Sequence, residues 1–250
     1  DIAISRGVAS NSEGVGTGSM HDTLGDVDGD GLPDMLVSDL DYGALYRNLG
    51  TGFFQDVTYS SGIAGPLAGK GTWGAALFDF DNDGDLDIFA ANGTAEELIL
   101  QYPILLENDG KGHFTDAGRR YGDYFLTRRS GRGMVECDYD NDGDVDIFKT
   151  NGALKHLYGH EDQLLENLGN EKFADVSLDR GEYFHMEYVG RGTSIGDYDN
   201  DGDLDLIIAD ATRRDGDTGP VLLVNDGSER GFFNACEADA GNLFNALRVE

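Results

Sequence analysis

Apolar residues in this chain fall in short runs of five or six, bounded by acidic or glycine-rich turns. Leu86-Asp87-Ile88-Phe89-Ala90-Ala91 and Leu204-Asp205-Leu206-Ile207-Ile208-Ala209 are typical and read as short buried strands. Trp73-Gly74-Ala75-Ala76-Leu77-Phe78 precedes the first of these and reads as a partner strand across a nine-residue turn. A third kind of run is Leu45-Tyr46-Arg47-Asn48, repeated as Leu105-Leu106-Glu107-Asn108, Leu164-Leu165-Glu166-Asn167 and Leu222-Leu223-Val224-Asn225. An Asn-Asp-Gly or Asn-Leu-Gly turn joins it to a fourth, Phe54-Gln55-Asp56-Val57, Phe114-Thr115-Asp116-Ala117 and Phe173-Ala174-Asp175-Val176.

These signatures keep step. The first aspartate of the nine-residue turn falls at 26, 79, 138 and 197, and the asparagines at 48, 108, 167 and 225, a period near 59. Each period offers four strands: a before the acidic turn, b after it, then c and d. Four short antiparallel strands per unit, repeated at this spacing, predict an all-β fold of β-propeller type. The predicted boundaries are an orphan strand at 1–8, units at about 9–58, 59–117, 118–177 and 178–235, and a tail at 236–250. Only four units are visible, so a larger ring of about seven blades is an open expectation.

The turn between strands a and b carries the chemistry. Its copies are Asp26-Val27-Asp28-Gly29-Asp30-Gly31-Leu32-Pro33-Asp34, Asp79-Phe80-Asp81-Asn82-Asp83-Gly84-Asp85-Leu86-Asp87, Asp138-Tyr139-Asp140-Asn141-Asp142-Gly143-Asp144-Val145-Asp146 and Asp197-Tyr198-Asp199-Asn200-Asp201-Gly202-Asp203-Leu204-Asp205. Four or five carboxylates in nine residues repel one another unless a cation neutralises them. Hard oxygen donors in this number suit calcium better than zinc or magnesium. An EF-hand would need a glutamate at position twelve, where this chain has Val37, Ala90, Lys149 and Ile208, and helices where it has strands. The expected ligands are the side chains at positions one, three, five and nine, with the position-seven carbonyl of Leu32, Asp85, Asp144 or Asp203. The cofactor is therefore up to four structural Ca2+ ions, with no catalytic residue assigned.

Antiparallel geometry puts the acidic turns and the c-to-d turns at one end of every unit. The opposite end carries the variable segments Gly93 to Tyr102, Gly152 to Gln163, Ala211 to Gly219, Tyr121 to Arg132 and Glu182 to Arg191. A rigid scaffold at one end and variable loops at the other is the layout of a binding surface. Arg119, Arg120, Arg128, Arg129 and Arg132 gather near that end; they either anchor an acidic partner or pair with surrounding acid. Tyr124-Phe125 and Tyr183-Phe184 lie one period apart, which favours packing over carbohydrate stacking. His156 and His160 have helical spacing, but a glycine interrupts them and weakens a zinc reading.

Composition narrows the class. The chain has 250 residues, 39% of them hydrophobic, and a formal charge of -30. It holds enough apolar material for a core, and its charge argues against nucleic acid and anionic membranes. No run of about 18 apolar residues offers a membrane span. Carboxylate-rich calcium sites load where calcium is near millimolar, which places the protein outside the cell or on its surface. Of two cysteines, Cys137 precedes a turn and is expected in a core, with buried free thiols favoured over a Cys137–Cys236 disulfide. Asn92-Gly93-Thr94 is the one glycosylation sequon.

Taken together, these turns and runs resemble the FG-GAP/VCBS-type repeats, calcium-binding propeller blades also found in integrin α-subunit heads. The stretch Trp73 to Asp87 is similar to the secreted branch that contains the cartilage acidic proteins. Gly241-Asn242-Leu243-Phe244-Asn245-Ala246-Leu247-Arg248-Val249-Glu250 resembles the start of the ASPIC/UnbV module that follows such propellers. The resemblance implies calcium at the aspartates of loop positions one, three, five and nine. The expected function is a calcium-bearing extracellular binding or adhesion module rather than an enzyme, its protein or carbohydrate ligand docking opposite the metals. The alternatives are a propeller enzyme (polysaccharide lyase or dehydratase) with its site on that same face, or a structural subunit that self-associates through terminal strands.

Overall fold

The computed structural model describes residues 5–8, 18–94, 100–152, 159–213, 218–228, 231 and 233–236. The N-terminal orphan strand, His156 and the C-terminal tail lie largely or wholly outside them. Strands β1 (His21–Gly25), β2 (Asp34–Ser38), β3 (Ala44–Asn48) and β4 (Phe54–Asp56) form the first antiparallel sheet, in chain order. After a short helix, α1 (Ala64–Leu67), the pattern repeats as β5 (Thr72–Phe78), β6 (Asp87–Asn92), β7 (Ile104–Asn108) and β8 (Phe114–Asp116). Helix α2 (Gly118–Tyr121) and a 3-10 turn at Asp123–Leu126 lead to the third unit: β9 (Gly131–Cys137), β10 (Asp146–Asn151), β11 (His160–Glu161), β12 (Gln163–Asn167) and β13 (Phe173–Asp175). The last is β14 (Glu187–Val189), β15 (Thr193–Gly196), β16 (Asp205–Arg213), β17 (Thr218–Asn225) and β18 (Phe233–Cys236).

First strands pack on first strands: β1 against β5, β5 against β9 and β9 against β15. The sheets therefore stand side by side like the blades of a propeller, with three apolar cores between successive sheets. This explains the continuous apolar runs. On β6, Ile88 and Ala90 face the core shared with the first sheet, while Phe89 and Ala91 face the core shared with the third. On β10, Ile147 and Phe148 divide in the same way. A strand buried on both faces has no polar face to alternate with.

Two features stitch neighbouring sheets. The residue at loop position two, Val27, Phe80 or Tyr139, is buried in the core shared with the next sheet. The asparagine of strand c in that next sheet reaches back to the same residue's carbonyl: Asn108 Nδ2 to Val27 at 2.9 Å, Asn167 Nδ2 to Phe80 at 2.8 Å and Asn225 Nδ2 to Tyr139 at 2.8 Å.

The variable end is more regular than the sequence led one to expect. Within the segments expected as loops, β11 pairs with β14, and β14 pairs with the far end of β16 (Tyr188 with Arg213, Val189 with Thr212). The expected loop from Ala211 to Gly219 holds strand at both ends, Ala211 pairing with Gly219 and Thr212 with Thr218. Pairing satisfies backbone groups that an irregular loop would leave to water. Tyr124, Phe125, Tyr183 and Phe184 are buried in the cores, which rules out a stacking platform there. Cys137 is a buried free thiol. Asn92 is buried as well, accepting from Thr72 Oγ1 at 2.7 Å and donating to the Tyr102 carbonyl at 2.9 Å, so the folded chain does not present the sequon.

The stitching asparagines carry a prediction. Asn167→Ala leaves the Phe80 carbonyl without its cross-sheet donor inside a core, and we expect a loss of about 1–3 kcal/mol in urea unfolding. An unchanged midpoint would remove the asparagine from the stitching role.

Candidate metal centres

Each acidic turn is a hairpin between the first two strands of its sheet, wound by left-handed backbone at two places. Position four has φ of 72° at Gly29 and 60°, 59° and 63° at Asn82, Asn141 and Asn200. Position six, always glycine, has φ of 85° to 99°. Only glycine, or a short polar residue such as asparagine, takes this conformation readily. The sequence of the turn is thus selected by backbone sterics as well as by charge.

The winding brings three carboxylates together in every copy. Oxygens of Asp26, Asp28 and Asp34 lie within 4.8 Å of one another, as do those of Asp79, Asp81 and Asp87, of Asp138, Asp140 and Asp146, and of Asp197, Asp199 and Asp205. These are positions one, three and nine. The position-one carboxylate also organises the turn, accepting from the backbone N–H groups of positions five and six; in the second copy these are Asp83 to Asp79 Oδ1 at 3.2 Å and Gly84 to Oδ2 at 2.9 Å.

Position nine is the buried member of each triad. Its Oδ2 accepts from the N–H of position two: Val27 to Asp34 at 3.1 Å, Phe80 to Asp87 at 3.2 Å, Tyr139 to Asp146 at 3.2 Å and Tyr198 to Asp205 at 2.7 Å. Its Oδ1 accepts from the N–H of the strand-c asparagine: Asn48 at 2.8 Å, Asn108 at 2.8 Å, Asn167 at 2.7 Å and Asn225 at 2.9 Å. Burial nonetheless pushes Asp87 up to about 7 and Asp146 up to about 8; the neighbouring carboxylates add to this, and the backbone donors only partly offset it. Asp34, Asp81 and Asp140 are raised by the same desolvation.

The residues fit a hard cation. Asp28 Oδ1 and Asp140 Oδ1, both at position three, are buried without a hydrogen-bond partner among the described residues. A buried anionic oxygen with no donor is costly unless something positive faces it. The donors are all oxygen, which favours calcium or magnesium over softer metals.

The structure uses the other two expected ligand positions for hydrogen bonds. The position-five carboxylate accepts from the position-seven N–H, as Asp83 Oδ1 does from Asp85 at 3.0 Å. Position-seven side chains link successive turns: Asn82 Nδ2 donates to Asp144 Oδ1 at 2.6 Å, and Asn141 Nδ2 to Asp203 Oδ1 at 2.9 Å.

Two partners went unnoticed in the sequence. Arg47 reaches into the first turn, its Nε 2.6 Å from Asp28 Oδ2 and its Nη2 3.4 Å from Asp30 Oδ2. The equivalent residues elsewhere are Glu107, Glu166 and Val224, so the first site alone carries an internal cation from this position. At the opposite end, Lys149 is buried 5.5 Å from the centre of the Tyr124 ring, near Asp162, which Tyr183 holds by a 2.6 Å hydrogen bond. Burial lowers the lysine to about 7 and raises the carboxyl to about 7. Much of the basic cluster is also occupied. Arg120 pairs with Glu107 and Glu171, Arg128 lies over Tyr102, and the buried Arg132 lies 4.4 Å over Trp73 and donates to the Thr94 carbonyl.

Fold and site together define a class: a repeat protein of propeller-type sheets whose hairpin turns gather aspartate triads that could hold a hard cation. The chain belongs to the FG-GAP-like repeat family, whose model matches residues 26–90 and 138–208, more than half of the sequence. It is 30% identical over 170 residues to cartilage acidic protein 1 of Xenopus tropicalis and over 177 to that of Mus musculus; each match covers 66% of this chain and 24% of the relative. The chain thus spans about a quarter of the length of those relatives. Among solved structures, a lectin of Agrocybe aegerita described as recognising non-reducing terminal N-acetylglucosamine is similar in fold, with a TM-score of 0.50 at 17% identity over 88% of this chain and 52% of the lectin.

The raised carboxyls set a pH dependence for protein stripped of metal. Each binds its proton more tightly folded than unfolded, so its contribution is complete below pH 3.8 and is lost as the pH rises through about 7 to 8. Chelator-treated protein should therefore melt at a higher temperature near pH 5 than near pH 8. Scanning calorimetry showing the opposite order would contradict the assigned burial of Asp87 and Asp146.

Proposed function

We propose that the four acidic turns bind calcium and that the cations brace a propeller-type module acting outside the cell in binding or adhesion. The observation that carries this reading is the set of aspartate triads, each with a buried position-nine carboxylate, together with the unsatisfied position-three oxygens of Asp28 and Asp140. In this reading the position-five carboxylates of Asp30, Asp83, Asp142 and Asp201 join the shell, and the carbonyls of Leu32, Asp85, Asp144 and Asp203 complete it. Calcium is favoured over magnesium because it accepts six to eight oxygens in flexible geometry. Near-millimolar calcium outside cells would keep such sites filled.

The metal's task here is structural. The position-nine carboxylate already ties the turn to strand c, and a cation relieves the repulsion that opposes that tie. The ligand, a protein or a carbohydrate, would dock on the opposite end, where connections differ in length from unit to unit. The family membership supports the module reading, and the match to cartilage acidic protein 1 is consistent with an acidic extracellular protein.

A calcium titration followed by thermal melting tests the metal. Each site should stabilise the fold by about 2.7 kcal/mol when free calcium is about 100 times its dissociation constant. The first site should be the weakest, because Arg47 competes for Asp28 and Asp30, and Arg47→Ala should tighten it. Melting indifferent to both calcium and chelator would overturn the proposal, and an Arg47→Ala protein with unchanged calorimetric affinities would overturn the ranking.

A further inference from the structure

Between the second and third acidic turns lies a cavity of about 400 Å³. Its wall is acidic: Asp81 and Asp83 come from one turn, Asp144 from the next, and Glu171 from the turn between β12 and β13. Asn82 also lines it and spans the two acidic turns, its Nδ2 donating to Asp144 Oδ1 at 2.6 Å. Glu171 has a φ of 61°, at a place where the other units have glycine: Gly52, Gly112 and Gly231, at 77°, 76° and 56°. A carboxylate is thus kept at a backbone position that favours glycine.

Tyr121 of α2 lines the same cavity. It is 1% exposed, its ring is edge-on to Phe80 at 4.8 Å, and its hydroxyl is buried without a hydrogen-bond partner among the described residues. A buried hydroxyl left in that state is costly. Arg120 lies 5.3 Å over the ring and is engaged by Glu107 and Glu171. At the following junction the counterpart of Tyr121 is Arg180, seven residues after the strand-d phenylalanine in both units. There the chain supplies a cation to a phenol and a carboxylate: Arg180 Nε donates to the Tyr139 hydroxyl at 3.0 Å, and Nη2 to Glu166. The Tyr121 cavity has the phenol and the carboxylates, but no such donor bonded to the phenol among the described residues.

We propose that this cavity binds an alkylammonium group, presented by a free amine or by a lysine side chain of a protein partner. Three of the carboxylates already use one oxygen. Asp81 Oδ1 accepts from the Asp83 N–H at 3.2 Å, Asp83 Oδ1 from the Asp85 N–H at 3.0 Å, and Asp144 Oδ1 from Asn82. A planar guanidinium pairs best with both oxygens of one carboxylate, whereas an ammonium takes single oxygens from several directions. Its three N–H donors would meet the Tyr121 hydroxyl oxygen and the remaining oxygens of Asp83 and Asp144, with the methylene stem running past Phe80. A calcium ion in the second turn, as proposed above, offsets two of the four charges of Asp79, Asp81, Asp83 and Asp87, so the cavity stays acidic. The site lies at the acidic-turn end of the sheets, separate from the binding surface proposed at the other end.

The test is a nuclear magnetic resonance titration in saturating calcium and about 0.15 M salt, which screens the general field of the acidic surface. The probes are cadaverine and a Gly-Gly-Lys-Gly-Gly peptide. The side-chain amide signals of Asn82 and Asn167, which both line the cavity, should shift, and the peptide with its lysine acetylated should leave them unmoved. A shift with the peptide alone identifies a protein-borne lysine as the source, and a shift with cadaverine alone a free amine. Tyr121→Phe keeps the ring and the net charge and should weaken binding about tenfold. Glu171→Gly installs the residue that the other units carry there, and should weaken binding severalfold with the circular dichroism unchanged. Equal affinity in the wild type and Tyr121→Phe would assign the amine to the acidic surface at large and overturn the proposal. Asn82 and Asn167 signals indifferent to both probes would also overturn it, leaving a water-filled cavity only.

Discussion

The structure depends on one carboxylate per repeat, the aspartate at position nine of each turn. Its two oxygens accept from opposite sides, one from the start of the turn and one from the asparagine of strand c. A single side chain thus sets the spacing between the a–b hairpin and the strand that follows. The same carboxylate is buried beside two others, so the group that holds the hairpin together also concentrates its repulsion. A hard cation, as proposed for these turns, would resolve that conflict, and the carboxylates that would hold it are the ones that hold the fold.

The second constraint lies between repeats. Among the described residues no single sheet has a core of its own. Strands β5, β6 and β10 send alternate side chains into two different cores, and each core needs the neighbouring sheet to exist. The asparagine of strand c joins these two constraints. Its backbone N–H holds the aspartate of its own turn, while its side chain holds the carbonyl of the preceding one. The carboxylate cluster of one turn is therefore mechanically close to packing at the junction before it. In an array of this kind, stability is expected to be a sum of repeat terms and nearest-neighbour terms.

Much of the fold was legible in the sequence because its signals are local. The turn from Asp79 to Asp87, the apolar runs beside it and the Leu-Leu-Glu-Asn strand predicted β5 to β8 within a residue or so. Spacing named the side chains at positions one, three, five and nine of each turn, of which the fold gathers those at one, three and nine; the burial of Tyr124 and Tyr183 followed from periodicity. The less legible features involve partners far apart in the chain. Arg47 is an ordinary strand residue until the structure sets it against Asp28. Lys149 only excluded an EF-hand until burial placed it near Asp162. Asn92 read as a sequon, and its two hydrogen bonds across the sheet take that role away. The strand-c asparagines were visible as a repeated letter, but their reach across 81 to 87 residues was not.

By itself, the sequence determined the four-stranded unit, its period and the hard-oxygen character of the turns. Strand burial, left-handed turn positions and carboxylate spacing are properties of a few adjacent residues, and a linear pattern records them fully. Tertiary structure decided which carboxylates converge, which oxygens are left unsatisfied and which face of each sheet is covered. Those outcomes depend on how one repeat sits against the next, so they distinguish residues that the repeat pattern writes as equivalent. Tyr139 and Tyr198 occupy the same place in the same motif, yet one is a core residue and the other an exposed ring, because among the described residues only Tyr139 has a following sheet packed on it.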